Sequence, residues 1–153
     1  MERSKDAYLT EELETRMQPA TPRPARRTDV EAKDIALAIA AAGFDKKALR
    51  IEIIDVQGKV DYADYVVIMS GRSDRQVNAL AQGIRETMKK DHQQPCYGVE
   101  GLPQGSWVLM DFGDVIVHIF HQDTRGYYDL EALWIDAARV DVGFEQDDDL
   151  FPR

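Results

Sequence analysis

The stretch DYADYVVIMSGRSDRQVNALAQGIRETMKKD, Asp61–Asp91, decides the fold. Tyr65 to Met69 is an unbroken apolar, largely β-branched run of the kind buried on both faces of a sheet. Gly71 permits a tight turn, and Ser73 and Gln76 have the spacing of a capping box. Val77, Leu80, Ala81, Ile84 and Met88 then recur on one helical face. A buried strand feeding a long amphipathic helix is the crossover unit of an α/β protein.

On the N-terminal side, LRIEIIDV, from Leu49, reads as a second strand closed by a turn at Gln57 and Gly58. DVEAKDIALAIAAAG reads as a helix with Asp29 as N-cap, Val30, Ile35, Leu37, Ile39 and Ala42 inward, and Gly43 as the stop. On the C-terminal side, QQPCYGVEGLPQGS is a loop with a short strand near Cys96 to Val99, followed by two strands split by DFGD. A final helix is expected from near Tyr127, with Leu130, Leu133, Trp134, Ala137 and Ala138 inward. Only the Val66 to Asp91 region looks like a crossover, so the expected fold is a single α/β domain with a mixed β-sheet flanked by helices. Its bounds are 29–140, between an N-terminal arm (1–28) rich in Pro and Arg and an acidic, frayed C-terminal tail (141–153).

A chain of 153 residues fits one ordinary domain. No apolar run approaches the roughly 20 residues of a membrane span. The N-terminus lacks the apolar stretch of a secretory signal, and its Glu2, Asp6, Glu11, Glu12 and Glu14 are unlike a transit peptide, which places the chain in the cytoplasm. The single Cys96 agrees with a reducing compartment. The formal net charge of -9 argues against direct nucleic-acid binding, which draws on Lys and Arg, and for a basic protein partner.

The chemistry concentrates in WVLMDFGDVIVHIFHQDTRGYYDLEALW, Trp107 to Trp134. With Phe112 and Gly113 as the two loop residues of a hairpin, Asp111 faces Asp114, Leu109 faces Ile116 and Trp107 faces His118. Val108, Met110, Val115, Val117 and Ile119 make an aliphatic core face. Trp107, Leu109, Asp111, Asp114, Ile116, His118 and Phe120 make an opposite face that is aromatic, acidic and imidazole-bearing.

Three readings compete for that face. In the first, Asp111 and Asp114 hold Mg²⁺ and the Ser70 to Ser73 loop holds phosphate, as in a nucleotidyltransferase. The loop has one glycine and no P-loop lysine, and the two acids straddle a turn, so the set is fragmentary. In the second, the acids are solvated turn residues, Ser73 is only a cap and His118 is a hydrogen-bonded strand histidine. In the third, Trp107, ringed by Asp111, Asp114 and His118, is the anchor of a recognition surface, while Trp134 belongs to the core. His118, His121 and Cys96 lack zinc-ligand spacing, and no metal or cofactor is expected.

DYADYVVIMSGRSDRQV, GDVIVHIFH and YYDLEALW resemble the ribosomal silencing factor, or Iojap-like, family over about Asp29 to Ala138. The resemblance implies a sheet similar to that of nucleotidyltransferases without their catalytic acids, and no enzymatic activity. It implies binding to the fourteenth protein of the large ribosomal subunit at the intersubunit face, which blocks joining of the small subunit and lowers translation when nutrients are short. The family's motif residues match Ser70, Gly71, Arg72, Ser73 and Arg75, Trp107, Gly113 to His118, and Tyr127, Tyr128, Leu130, Glu131 and Trp134. Residues and resemblance together give an expected partner-binding set of Arg72, Ser73, Trp107, Asp111, Asp114, His118, Tyr127 and Tyr128. A homodimer of the free protein through the same face is a further expectation.

Overall fold

A computed structural model describes residues 29–146; the arm expected over 1–28 and the tail beyond 146 lie outside them. The first helix, α1 (Asp29–Asp45), packs chiefly through Ala32, Ala36, Ile39 and Ala40. It runs past Gly43, and the left-handed turn that follows it falls on Lys47 (φ 71°). Strands β1 (Leu49–Asp55) and β2 (Tyr65–Gly71) follow, and every residue of β2 is buried.

Ser73 caps α2 (Asp74–His92) as its spacing predicts, and the return bond of Gln76 goes to the residue before the cap. Ser73 Oγ accepts from the Gln76 amide at 3.1 Å, while Gln76 Oε1 reaches back to the Arg72 amide at 2.6 Å. The predicted inward face, Val77, Leu80, Ala81, Ile84 and Met88, is the buried one. Ser73→Ala is expected to cost about 1 kcal/mol, read in calorimetry as a Tm lower by roughly 2–4 °C.

β4 (Trp107–Asp111) and β5 (Val115–His121) complete the centre, and β3 (Gly98–Glu100) and β6 (Arg139–Val140) the two edges, of one six-stranded sheet ordered β3-β4-β5-β2-β1-β6. Only β2 and β5 are parallel, so the expected mixed sheet with a single crossover is what forms. The α1 and α2 side is covered by one core cluster that includes Val67, Met69, Val108, Met110, Val117 and Ile119.

Further local expectations are corrected. The hairpin turn consists of Gly113 and Asp114, with Phe112 donating its amide to Val115, so Trp107 pairs with Phe120 and Leu109 with His118. Gly113 supplies its positive φ (92°) at the first central position rather than the second. The resulting slip is by two residues, and an even slip leaves each side chain on its predicted face.

The expected last helix is instead two short pieces. α3 (Gln122–Tyr128) ends at Asp129, whose left-handed conformation (φ 47°) breaks the chain before a 3-10 turn, Leu130–Trp134. That turn lays Leu130, Trp134 and Ala137 on the second sheet face, over Ile54, Val66, Ile68, Leu109, Ile116 and Phe120. Over residues 141–146, the part of the expected tail that is described, Phe144 stacks on Phe44 at 4.3 Å, and Gln146 bonds both backbone groups of Ile51. Among the described residues no helix is long and apolar enough to cross a membrane.

Candidate partner-binding surface

The carboxyl ends of the parallel pair β2 and β5 lie side by side, Gly71 opposite His121. β4 starts at the same end, because the His121 amide donates to the Ser106 carbonyl at 3.0 Å just before Trp107. α3 begins directly after His121, whose Nδ1 accepts from the Asp123 amide. The topology therefore gathers Arg72, Ser73, Trp107, Tyr127 and Tyr128 at one end of the sheet, where open α/β sheets commonly bind their ligands.

Trp107 is the centre of this end. Its ring stacks on Phe120 at 5.0 Å and meets Tyr128 at 4.8 Å, and its indole N–H donates to His118 Nδ1 at 3.0 Å. That bond assigns the His118 proton to Nε2 in the neutral imidazole. Tyr127 stands edge-on to Tyr128 at 5.0 Å and is 71% exposed. Together Trp107, Tyr127 and Tyr128 line a cleft of about 660 Å³ between α3 and the loop from Gly101 to Ser106. The loop is fastened by Asn78, whose amide donates to the Pro103 and Asp74 carbonyls. Gly101 (φ 100°) is pressed so closely on the Trp107 carbonyl that a Cβ there would collide with it. This loop, which contributes no residue to the expected partner-binding set, forms one wall of the cleft.

The expected partner set is split by the fold. His118 is 1% exposed, because the 3-10 turn and its neighbours cover that sheet face, and it accepts the indole N–H of Trp107 from behind. Asp111 is buried at the far end of β4, where its Oδ1 accepts from the Gly113 amide, and Asp114 lies in the turn beside it. Six residue steps along β5 place that turn roughly 20 Å from Gly71. The exposed patch of Trp107 with Asp111, Asp114 and His118 is thus corrected to one of Trp107 with Tyr127 and Tyr128. Arg72 and Ser73 are exposed at the same end as Trp107, but Arg72 lines a separate depression with Phe44, Lys47 and Glu145.

The same separation keeps the aspartates away from the Ser70 to Ser73 loop, whose polar groups are engaged: Ser70 Oγ accepts from Arg125 and Ser73 caps α2. Burial raises the Cys96 thiol above its ordinary value, the opposite of an activated thiolate. Among the described residues no group of three His, Cys, Asp or Glu side chains could hold a metal ion.

Arg125 fixes α3, and with it the two tyrosines. It is 1% exposed, and it donates to the Arg50 carbonyl (2.6 Å), Ser70 Oγ (3.0 Å), Glu131 (2.5 Å) and Glu52 (3.3 Å). Burial lowers its pKa, while the carboxylates of Glu131 and Glu52 act in the opposite sense. Arg50 sits in the left-handed region (φ 50°) at an irregularity of β1, with its carbonyl accepting from Arg125.

Comparison with known proteins agrees with this architecture. The chain matches the family described as "Ribosomal silencing factor during starvation" over residues 29–150. It is 44% identical over 112 residues to the ribosomal silencing factor RsfS of Bacillus subtilis, covering 73% of this chain and 94% of that protein. It is 34% identical over 91 residues to a mouse protein named for mitochondrial assembly of the ribosomal large subunit, covering 58% of this chain and 40% of the mouse protein. A crystal structure of a Chromobacterium violaceum protein superposes with a TM-score of 0.65 at 35% identity, over 67% of this chain and 85% of that one. On sequence, fold and extent of match, the chain belongs to the ribosomal silencing factor family.

Proposed function

We propose that this protein is a cytoplasmic translational repressor that binds the fourteenth protein of the large ribosomal subunit and sterically blocks joining of the small subunit, lowering translation when nutrients are limiting. The observation that carries the reading is the exposed aromatic cleft of Trp107, Tyr127 and Tyr128 on an acidic chain. Ribosomal proteins are generally basic, so net charge steers the approach and large amphipathic rings supply the contact. The same charge disfavours tight contact with RNA phosphates. Membership of the silencing family and the large-subunit name of the mouse relative support the choice of partner.

Blocking of this kind is steric and needs no reaction. A nucleotidyltransferase-like activity would need Asp111 and Asp114 to act together with the Ser70 to Ser73 loop, which sits at the opposite end of the sheet. Arg72 and Ser73 extend the proposed footprint beyond the cleft, and His118 supports it from behind. Self-association of the free protein through the aromatic end would compete with the ribosome.

Purified protein is expected to co-sediment with isolated large subunits. It should also reduce their joining to small subunits, followed by light scattering, in proportion to occupancy. Binding to intact ribosomes but not to free large subunits would overturn the mechanism.

A further inference from the structure

We infer that the acidic residues Asp147 to Asp149, which follow the last described residue, dock back on the cations of Lys47 and Arg72 and close the depression that these two share. The inference uses no property of the proposed partner, so it stands or falls apart from the ribosomal reading.

Distant parts of the chain build the depression. It encloses about 350 Å³ among Phe44 and Lys47 around the end of α1, Leu49 at the start of β1, Arg72 just after β2, and Glu145 with Gln146. Gln76 fixes the two cationic residues side by side: its Oε1 accepts from the Arg72 amide at 2.6 Å, and its Nε2 donates to the Lys47 carbonyl at 3.1 Å. Lys47 and Arg72 are both exposed, and among the described residues neither has an ion-pair partner. One carboxylate, Glu145, shares the lining and is paired with neither, so the depression carries surplus positive charge on a chain of net charge -9.

The chain is delivered to this place. Phe144 stacks on Phe44 at 4.3 Å, and Gln146 accepts from the Ile51 amide at 2.8 Å and donates to the Ile51 carbonyl at 2.9 Å, so residue 146 lies on the rim. Three further residues reach roughly 10 Å when extended, and each of the next three is an aspartate. Tethering over so short a distance gives their carboxylates a local concentration on the order of millimolar, so surface contacts that are individually weak act together.

Docking cancels the positive surplus at the end of the sheet that carries Arg72 and Ser73. The acidic tail is then a mask: it withholds Lys47 and Arg72 from free anions such as RNA phosphate, and it presents a basic protein with no exposed like charge there.

The test compares the whole chain with a variant carrying Asp147→Asn, Asp148→Asn and Asp149→Asn, acylated with a limiting amine-reactive ester and read by peptide mass spectrometry. Lys47 is expected to react about 3-fold more slowly in the wild type, the scale of exposed ion pairs, while Lys89 and Lys90 in the last turn of α2 react equally in both. Sodium chloride at about 0.5 M should abolish the difference. By NMR, the tail carboxyls should titrate at lower pH in the wild type than in a Lys47→Gln, Arg72→Gln variant, because nearby cations favour the ionised form. Polyuridylate RNA at low salt should bind the asparagine variant at least about 5-fold more tightly than the wild type. Equal reactivity of Lys47 in the two proteins, or tail carboxyls indifferent to the Lys47 and Arg72 substitutions, would overturn the docking. Protection of Lys47 that grows with protein concentration would overturn it in favour of tails exchanged between two copies. Unchanged RNA binding would overturn the masking role.

Discussion

Arg125→Leu is expected to lower the unfolding free energy by about 3–5 kcal/mol, read as a lower urea midpoint at unchanged slope. Domains of this size have only about 5–15 kcal/mol in total, so the variant sits near the limit of folding. The cause is not the loss of a surface ion pair. Arg125 is enclosed, and its four polar contacts join α3 to β1, β2 and the 3-10 turn. Leucine would leave the carboxylates of Glu52 and Glu131 without their shared cation, and would remove donors from the Arg50 carbonyl and Ser70. Side chains of Glu52 and Glu131 that are 30% and 16% exposed limit the penalty, because water reaches them in part. Adding Glu52→Gln and Glu131→Gln to Arg125→Leu should therefore recover a substantial share of the loss. A single variant costing under about 1 kcal/mol would show that burial of the guanidinium is not structural.

The parts of this fold that depend on neighbours in sequence were legible, and the parts that depend on distant partners were not. The strand, turn and helix from Tyr65 to His92 are encoded by an apolar run, a serine cap and a 3.6-residue period, all local, and the structure repeats them. The hairpin hinged on which central position Gly113 occupies, and its faces survived the error because the slip was even. Face membership did not give exposure. The layer over His118 and Phe120 depends on Asp129 turning left-handed, a break that the apolar spacing of Leu130, Leu133 and Trp134 conceals. Arg125 carried no signal, because Arg50, Ser70 and Glu52 lie between 55 and 75 residues away. Gln146 reaches Ile51 across 95 residues, so an acidic, turn-rich segment concealed an ordered one. Of the expected partner residues, Trp107, Tyr127 and Tyr128 came together, since α3 and β4 both meet the carboxyl end of β5.

Trp107→Ala is expected to weaken binding to large subunits by about 30-fold or more, the scale of a truncated aromatic anchor worth ~2 kcal/mol. Part of that loss is direct, since the indole is the shared wall of the cleft. Part is indirect, because the ring also braces Tyr128 at 4.8 Å and satisfies His118 Nδ1 through its N–H. Trp107→Phe separates the two contributions: it keeps an aromatic surface over Phe120 and against Tyr128 but gives His118 no donor. If contact dominates, the phenylalanine variant should retain most of the affinity; if the hydrogen bond positions the cleft, it should fall close to alanine. Partial exposure of Trp107 in the free chain limits the cost to folding, so both variants should still unfold cooperatively with Tm lowered by only a few degrees. A folded Trp107→Ala protein that co-sediments with large subunits as tightly as wild type would exclude the cleft as the docking site. An alanine variant that loses binding while Asp111→Asn and Asp114→Asn keep it would place the contact at the carboxyl end of β5 and leave the hairpin turn outside the footprint.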